Sequence, residues 1–465
     1  RLEALHPLPP TPADCKLNDA QLVLARSYGF ASWAKMRERI DALTLSPIDR
    51  FKRAVEREDH MAMRELLEQH EEVRQAIDKP MFAFDSMAIH QAANNQIMLN
   101  ILLNYGADIN AMTEWWAGGF SIFDWIEIGM ADEIIRLGGK LTVHGAARMN
   151  RLDDLKAMLE ANPSLAKARG GDGQTPLHVA GSLEVIDLLL DYGAELDVKD
   201  VDHEATPAQY LVDHPKLCAH LVQKGARTDL LMACALGDAE LARHHLELDP
   251  QVIRMRVSED WFPKKNPKAG GHIYNWKLGF YRSAFQIARS FGHDEVLAVL
   301  HDFASPVDRL LDAIWAGPDE AVDEVLADYP DLVASLDASV TRQIADAGFH
   351  NDLNAMRRFL KAGFPVTARG HQDAFPLHWA AHHGNPEMVE MLLAHDPPLD
   401  QRDGNGNGIP IGWCMYGSTH AWPSSTNEHE AVARLLLDAG SVVTPDYIPC
   451  GNEALDEIIR QHLFA

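Results

Sequence analysis

The chain has 465 residues, 46% hydrophobic and 24% charged, with 68 Asp and Glu against 42 Lys and Arg, a formal net charge of −26. That balance excludes a general nucleic-acid binder, which needs a basic face to neutralise phosphates. No apolar run reaches the ~18 residues that would span a bilayer, which argues against a membrane protein. Five scattered cysteines (Cys15, Cys218, Cys234, Cys414, Cys450) form no C-x-x-C pair. They read as reduced thiols of a cytoplasmic protein rather than a disulfide framework or a zinc knuckle. The chain begins at Arg1 rather than at a methionine, so removal of a leader stays open.

Residues 1–47 are expected to form an N-terminal helical capping segment. Within them "LNDAQLVLARSYGFASWAKMRERIDAL" (17–43) predicts two helices broken at Tyr28-Gly29-Phe30, with Ser32 capping the second. From residue 48 to 465 one grammar recurs. "GQTPLHVAGSLEVIDLLLDYGAELDVKD" (173–200) and "AFPLHWAAHHGNPEMVEMLLAHDPPLDQRD" (374–403) state it most fully. A turn precedes Thr-Pro-Leu-His or a variant, a short helix follows, and a Gly turn leads to a second helix of V/I-x-x-LL pattern. Degenerate copies begin at 51, 86, 143, 205, 230, 282, 309 and 343, and Gly106 and Gly138, like Gly193 and Gly225, lie 32 residues apart. At this period the chain holds roughly ten units. Proline in the first helical turn sacrifices no hydrogen bond, the preceding threonine caps the helix, and the terminal glycine permits a left-handed exit. Each helix pair has an apolar face too small to bury alone, so neighbours must stack.

Thr-Pro-Leu-His with LL-x-x-G-A at this period resembles the ankyrin repeat. The resemblance implies an all-α solenoid of roughly ten helix-turn-helix units with long ordered inter-repeat loops. It also implies a monomer that binds a protein partner on its concave, finger-bearing face. The helical lead-in is similar to that of many bacterial ankyrin proteins and would cover the first repeat. "NEALDEIIRQHLFA" would seal the other end.

Three stretches break the grammar, at 113–125, 251–282 and 410–430, and inserted loops mark the face left free for function. "TEWWAGGFSIFDW" (113–125) brings Trp115 and Trp116 beside a Gly-Gly turn. "WFPKKNPKAGGHIYNWKLGFYR" (261–282) is basic and aromatic in an acidic chain, with Lys264, Lys265, His272, Tyr274 and Trp276. "PIGWCMYGSTHAWPSSTNEHE" (410–430) carries Trp413, Tyr416 and Trp422, and Asp396 to Gly440 spans 44 residues where Gly363 to Asp396 spans 33. With Asp202, His203, Trp379 and His382 these are the candidate partner- or ligand-binding residues. Aspartates at such a tip, Asp200 and Asp202, are expected to brace the hairpin through Asx bonds.

The alternative reading is an enzyme or small-molecule receptor whose pocket is built from the aromatic loops, for a polar, glycosidic or aromatic ligand. Its candidate chemistry is the pair His203 and Glu204, and Ser418 with His420. His378 and His382 have the i, i+4 spacing of a metal pair, but His378 is the signature histidine and no third ligand is apparent, so no metal site and no cofactor is expected. The chain is also similar to a set of bacterial multi-repeat proteins sharing D-x-D-H-E-x-T-P, G-G-x-I-Y-x-W-x-L-G, L-H-W-A-A and G-W-x-x-x-G-S-x-H-x-W. That likeness implies only that these loops belong together.

Overall fold

The computed structural model describes residues 17–404, 406–420, 422 and 425–464. Cys15, and the first sixteen residues of the expected capping segment, lie outside them. The architecture is all-α: paired helices joined by finger-like turns, with no strand among the described residues beyond two isolated bridges, Phe82 to Ser86 and Arg256 to Ser283. No helix among them is long and apolar enough to cross a membrane. Among the described residues Cys218, Cys234, Cys414 and Cys450 form no disulfide, and the first three are buried.

Capping residues set where each helix begins. The first helix of a pair starts at Thr142, Thr206, Asp229, Ser283 or Ser305, whose side chain accepts the N–H three residues on. The second helix is capped in the same way by the residue at the inter-helix turn: Asp59, Asn95, Ser182, Asp238, Asp352 or Asn385. These bonds satisfy amides that have no partner inside the helix. In the lead-in, Leu17–Ser27 and Trp33–Thr44 meet at Gly29 (φ +86°), and Ser32 Oγ accepts from Lys35 N at 3.3 Å.

The chain divides into two compact units. One comprises the residues up to Thr228 together with Phe262–Lys277, and the other Asp229–Trp261 together with Leu278 onward. In the first, a core of Phe51, Met63, Ile89, Leu99, Leu102 and Phe123 is closed to solvent. In the second, Leu310, Ile344, Phe359, Leu377, Met388 and Ile411 form the equivalent. Burying each such side chain stabilises the fold by about 1.5–3 kcal/mol.

Histidines tie one finger to the next. Nδ1 of His90, His178 and His378 accepts the N–H of the residue three before it, at 3.2, 3.0 and 3.3 Å. Nε2–H of the same rings donates to Ala111 O, Ala205 O and Gly408 O at 3.1, 3.2 and 3.2 Å. Carboxylate and amide side chains add a second tie at the next turn: Asp108 N donates to Asp78, Lys140 N to Asn110 and Arg227 N to Asp197, each pair 30 residues apart. The corresponding bond from Val442 N to Asp400 spans 42 residues, so the elaborated unit keeps the tie and accommodates its extra length elsewhere.

Part of that length is helix. The expected loop at 410–430 opens with an eleven-residue helix, Pro410–His420, packed along Pro376–His382. Trp413 and Tyr416 therefore sit on a helix and not in a loop.

Candidate functional sites

In the first unit, three fingers converge. The 113–125 loop presses on the turn at Gly170–Gly173: a Cβ on Gly118 would lie 2.1 Å from Gly170 O, and one on Gly171 would meet the Phe120 ring at 2.1 Å. Trp115 Nε1–H donates to Asp172 Oδ1 at 3.0 Å, and the Trp115 and Trp116 rings pack at 6.1 Å. The 199–205 finger follows. Asp200 does brace its hairpin, accepting His203 N at 2.8 Å, Ala205 N at 2.7 Å and Tyr210 Oη–H at 2.9 Å. Asp202 does not; its Oδ1 accepts Gly270 N at 3.0 Å, from the basic insert.

His203 Nδ1 lies 2.8 Å from Gly271 O. A carbonyl only accepts, so Nδ1 carries the hydrogen. Glu204 is also committed to the insert, its two oxygens accepting Lys265 N at 2.9 Å and Asn266 N at 2.8 Å. The insert thus docks by its backbone amides and carbonyls, while Lys264, Lys265 and Lys268 stay exposed. Lys277 pairs with Asp213 at 2.8 Å. Within the insert His272 stacks on Phe262 at 4.3 Å and meets Tyr274 edge-on at 4.7 Å; burial pushes its pKa down to about 3. Trp276 is 56% exposed.

Asp172 completes this cluster and was not singled out from the sequence. Its Oδ2 and that of Asp202 each lie 3.8 Å from His203 Nε2. Burial, with Asp202 and Asp200 adding to it and His203 opposing, pushes the Asp172 carboxyl up to about 6. The signal available in "GGDGQTPLH" was an aspartate at the tip of the finger just before 199–205.

In the second unit, a recess of about 550 Å³ is lined by Trp379, His382, Trp413, Tyr416, His420 and Trp422, among others. Helix Pro410–His420 supplies three of these. It can lie close to Pro376–His382 only because position 417 is glycine: a Cβ there would fall 2.0 Å from His382 O. Trp379 is 3% exposed and packs edge-on to Trp413 at 4.8 Å and to Phe349 at 4.9 Å. Trp413 Nε1–H donates to Asp403 at 2.8 Å, and the same carboxylate accepts Gly406, Asn407 and Gly408 amides, bracing the finger as Asp200 does. His382 Nε2 faces Trp422 O at 3.0 Å and Trp422 N at 3.2 Å, and its buried Nδ1 has no hydrogen-bond partner among the described residues. Burial, with His383 beside it, pushes the His382 pKa down to about 4.

Tyr416 is 61% exposed and stacks on His420 at 4.4 Å, with the ring planes 6° apart; Trp422 is 47% exposed. Ser418 Oγ–H donates to Met415 O at 2.8 Å, one turn back along its own helix. His420 Nδ1 lies 2.7 Å from Thr419 Oγ1. Ser418 and His420 are thus each hydrogen-bonded to a residue of their own helix. Of the four shared sequence blocks, the first two meet in the first unit, at Asp202–Gly270 and His203–Gly271, and the last two meet in the second, at Trp379–Trp413.

The ankyrin repeat family matches at residues 172–201 and 373–404. The chain therefore carries ankyrin repeats, one match in each unit and each spanning a Pro-Leu-His signature. Ankyrin repeats are, as a class, protein-binding modules.

Proposed function

We propose that this chain is a recognition protein whose partner is a protein, gripped through the elaborated finger at 410–430. The observation that carries this is the exposed aromatic pair Tyr416 and Trp422 at the rim of the recess. Large aromatics with a polar handle, set beside a depression, are the residues that concentrate binding energy in protein interfaces. The net charge of −26 favours a partner whose contact face is basic or mixed, with electrostatics setting the encounter rate. Capture from native lysate by the immobilised chain tests this. The unmutated chain retains a specific protein at low salt, retention falls as salt rises, and Tyr416→Ala/Trp422→Ala removes it. Retention of the same protein by the double variant would refute the assignment.

A second reading is favoured by the volume of the recess, which lies within the range of small-molecule sites. In that reading Trp379 and Trp413 wall a planar or glycosidic ligand beside His382. A metabolite that raises the melting midpoint of the unmutated chain but not of Trp413→Phe would support it. Equal shifts in both would exclude this recess.

A further inference from the structure

Two carboxylates in the first unit are buried beside one histidine, with no Lys or Arg paired to them among the described residues. The side chains of Asp172 and Asp202 are 11% and 6% exposed. Burying carboxylate charge without a fixed cation beside it costs several kcal/mol. Each spends Oδ1 on a fixed donor, Trp115 Nε1–H and Gly270 N–H at 3.0 Å. Each leaves Oδ2 without a hydrogen bond among the described residues, aimed at the same point as His203 Nε2. That nitrogen is 3.8 Å from both oxygens, too far for a hydrogen bond to either. The hydrogen toward Gly271 O sits on Nδ1, which leaves Nε2 as the ring atom facing the two carboxylates. A metal ion held among the three atoms would offset the repulsion between the two carboxylates.

We infer that Asp172 Oδ2, Asp202 Oδ2 and His203 Nε2 bind a divalent first-row transition ion. His203 Nε2 is 3.8 Å from each Oδ2, and ligand atoms of the three residues lie within 4.8 Å of one another, so the equidistant point in their plane is at most about 2.5 Å from each, within a few tenths of an ångström of the ~2.0–2.2 Å bonds such ions make to imidazole and carboxylate. The remaining polar atoms of the three side chains already hold the outer contacts that orient metal ligands: a carbonyl on the histidine, an indole and an amide on the carboxylates. One imidazole and two carboxylates suit Zn²⁺ or Mn²⁺ better than Ca²⁺. Three protein ligands leave a coordination position open. Gly270 keeps the approach clear, since a Cβ there would lie 3.3 Å from Asp202 Oδ2 and 3.6 Å from His203 Cε1. The ion joins the 170–174 turn to the 199–205 finger, and through Gly270 and Gly271 it stiffens the docked insert.

The test uses the tag-free full chain, stripped with EDTA and titrated calorimetrically with ZnCl₂ and with MnCl₂. One equivalent binds with micromolar or tighter affinity and raises the melting midpoint. Asp202→Asn, which keeps the Oδ1 acceptor for Gly270, and His203→Gln each weaken that equivalent tenfold or more. Pulsed EPR of the unmutated chain with one equivalent of MnCl₂ shows coupling to a single imidazole nitrogen, a result that needs no variant to fold. No binding by the unmutated chain, undiminished binding by both variants, or a spectrum with no nitrogen or with two imidazoles coupled overturns the assignment.

Discussion

His178 and His378 occupy one place in the repeat and use both ring nitrogens there, closing their own helix turn and reaching the next finger. Removing either orphans two buried backbone groups, each worth about 1–3 kcal/mol. His378→Ala should therefore cost about 2–4 kcal/mol in urea unfolding with an unchanged m-value, and an equal midpoint would contradict the pairing. Burial pushes His178 and His272 down to about 3 and His350, His378 and His382 to about 4. The unfolded chain binds protons at these positions near pH 6.5 while the folded one does not. Their neutral burial is tolerated fully above about pH 6.5, and stability drains away as pH falls toward 4, by up to about 1.4 kcal/mol per unit for each ring. The urea midpoint should drop between pH 7 and 4.5, and His350→Gln should flatten that slope; a variant as steep as the unmutated chain would remove His350 from the account. At this scale the sequence announces the histidines of the Pro-Leu-His signature, whose partners are local or one repeat away. It is silent on Asp172, whose tryptophan partner lies 57 residues distant.

Helices were the legible element, because capping residues and Pro positions act within a turn of the chain. The helix Pro410–His420 was not. Its start, "GIPIGW", keeps proline but lacks the capping threonine, and Gly412 and Gly417 among aromatics gave it the look of a loop. Gly417 has a packing reason that only the neighbouring helix reveals. Gly417→Ala should force Pro410–His420 away from Pro376–His382 at a cost of about 1–3 kcal/mol. Gly129→Ala, where the added methyl meets nothing within 4 Å, is the matched control and should leave the melting midpoint within a degree or so. Equal effects at the two positions would mean that the close helix contact is not what position 417 serves.

For the whole molecule, repetition in the sequence foretold the all-α array. What it did not convey is the partition of the basic insert between two compact units, residues 262–277 belonging to one and 278–282 to the other. Nor did it convey that Glu204 and Asp202 would hold the insert by backbone amides, leaving Lys264 and Lys265 facing solvent; contacts across 61 to 68 residues leave no local pattern. The central claim is that recognition resides in the finger at 410–430 and not on the outer helices. Photo-crosslinking in native lysate addresses it most directly, with p-benzoylphenylalanine replacing either Tyr416 or Leu248, the latter 71% exposed at the end of an ordinary repeat helix. The account predicts a discrete adduct from position 416 that disappears at high salt, and none from 248. Adducts from 248 alone, or the same adduct from both positions, would contradict it.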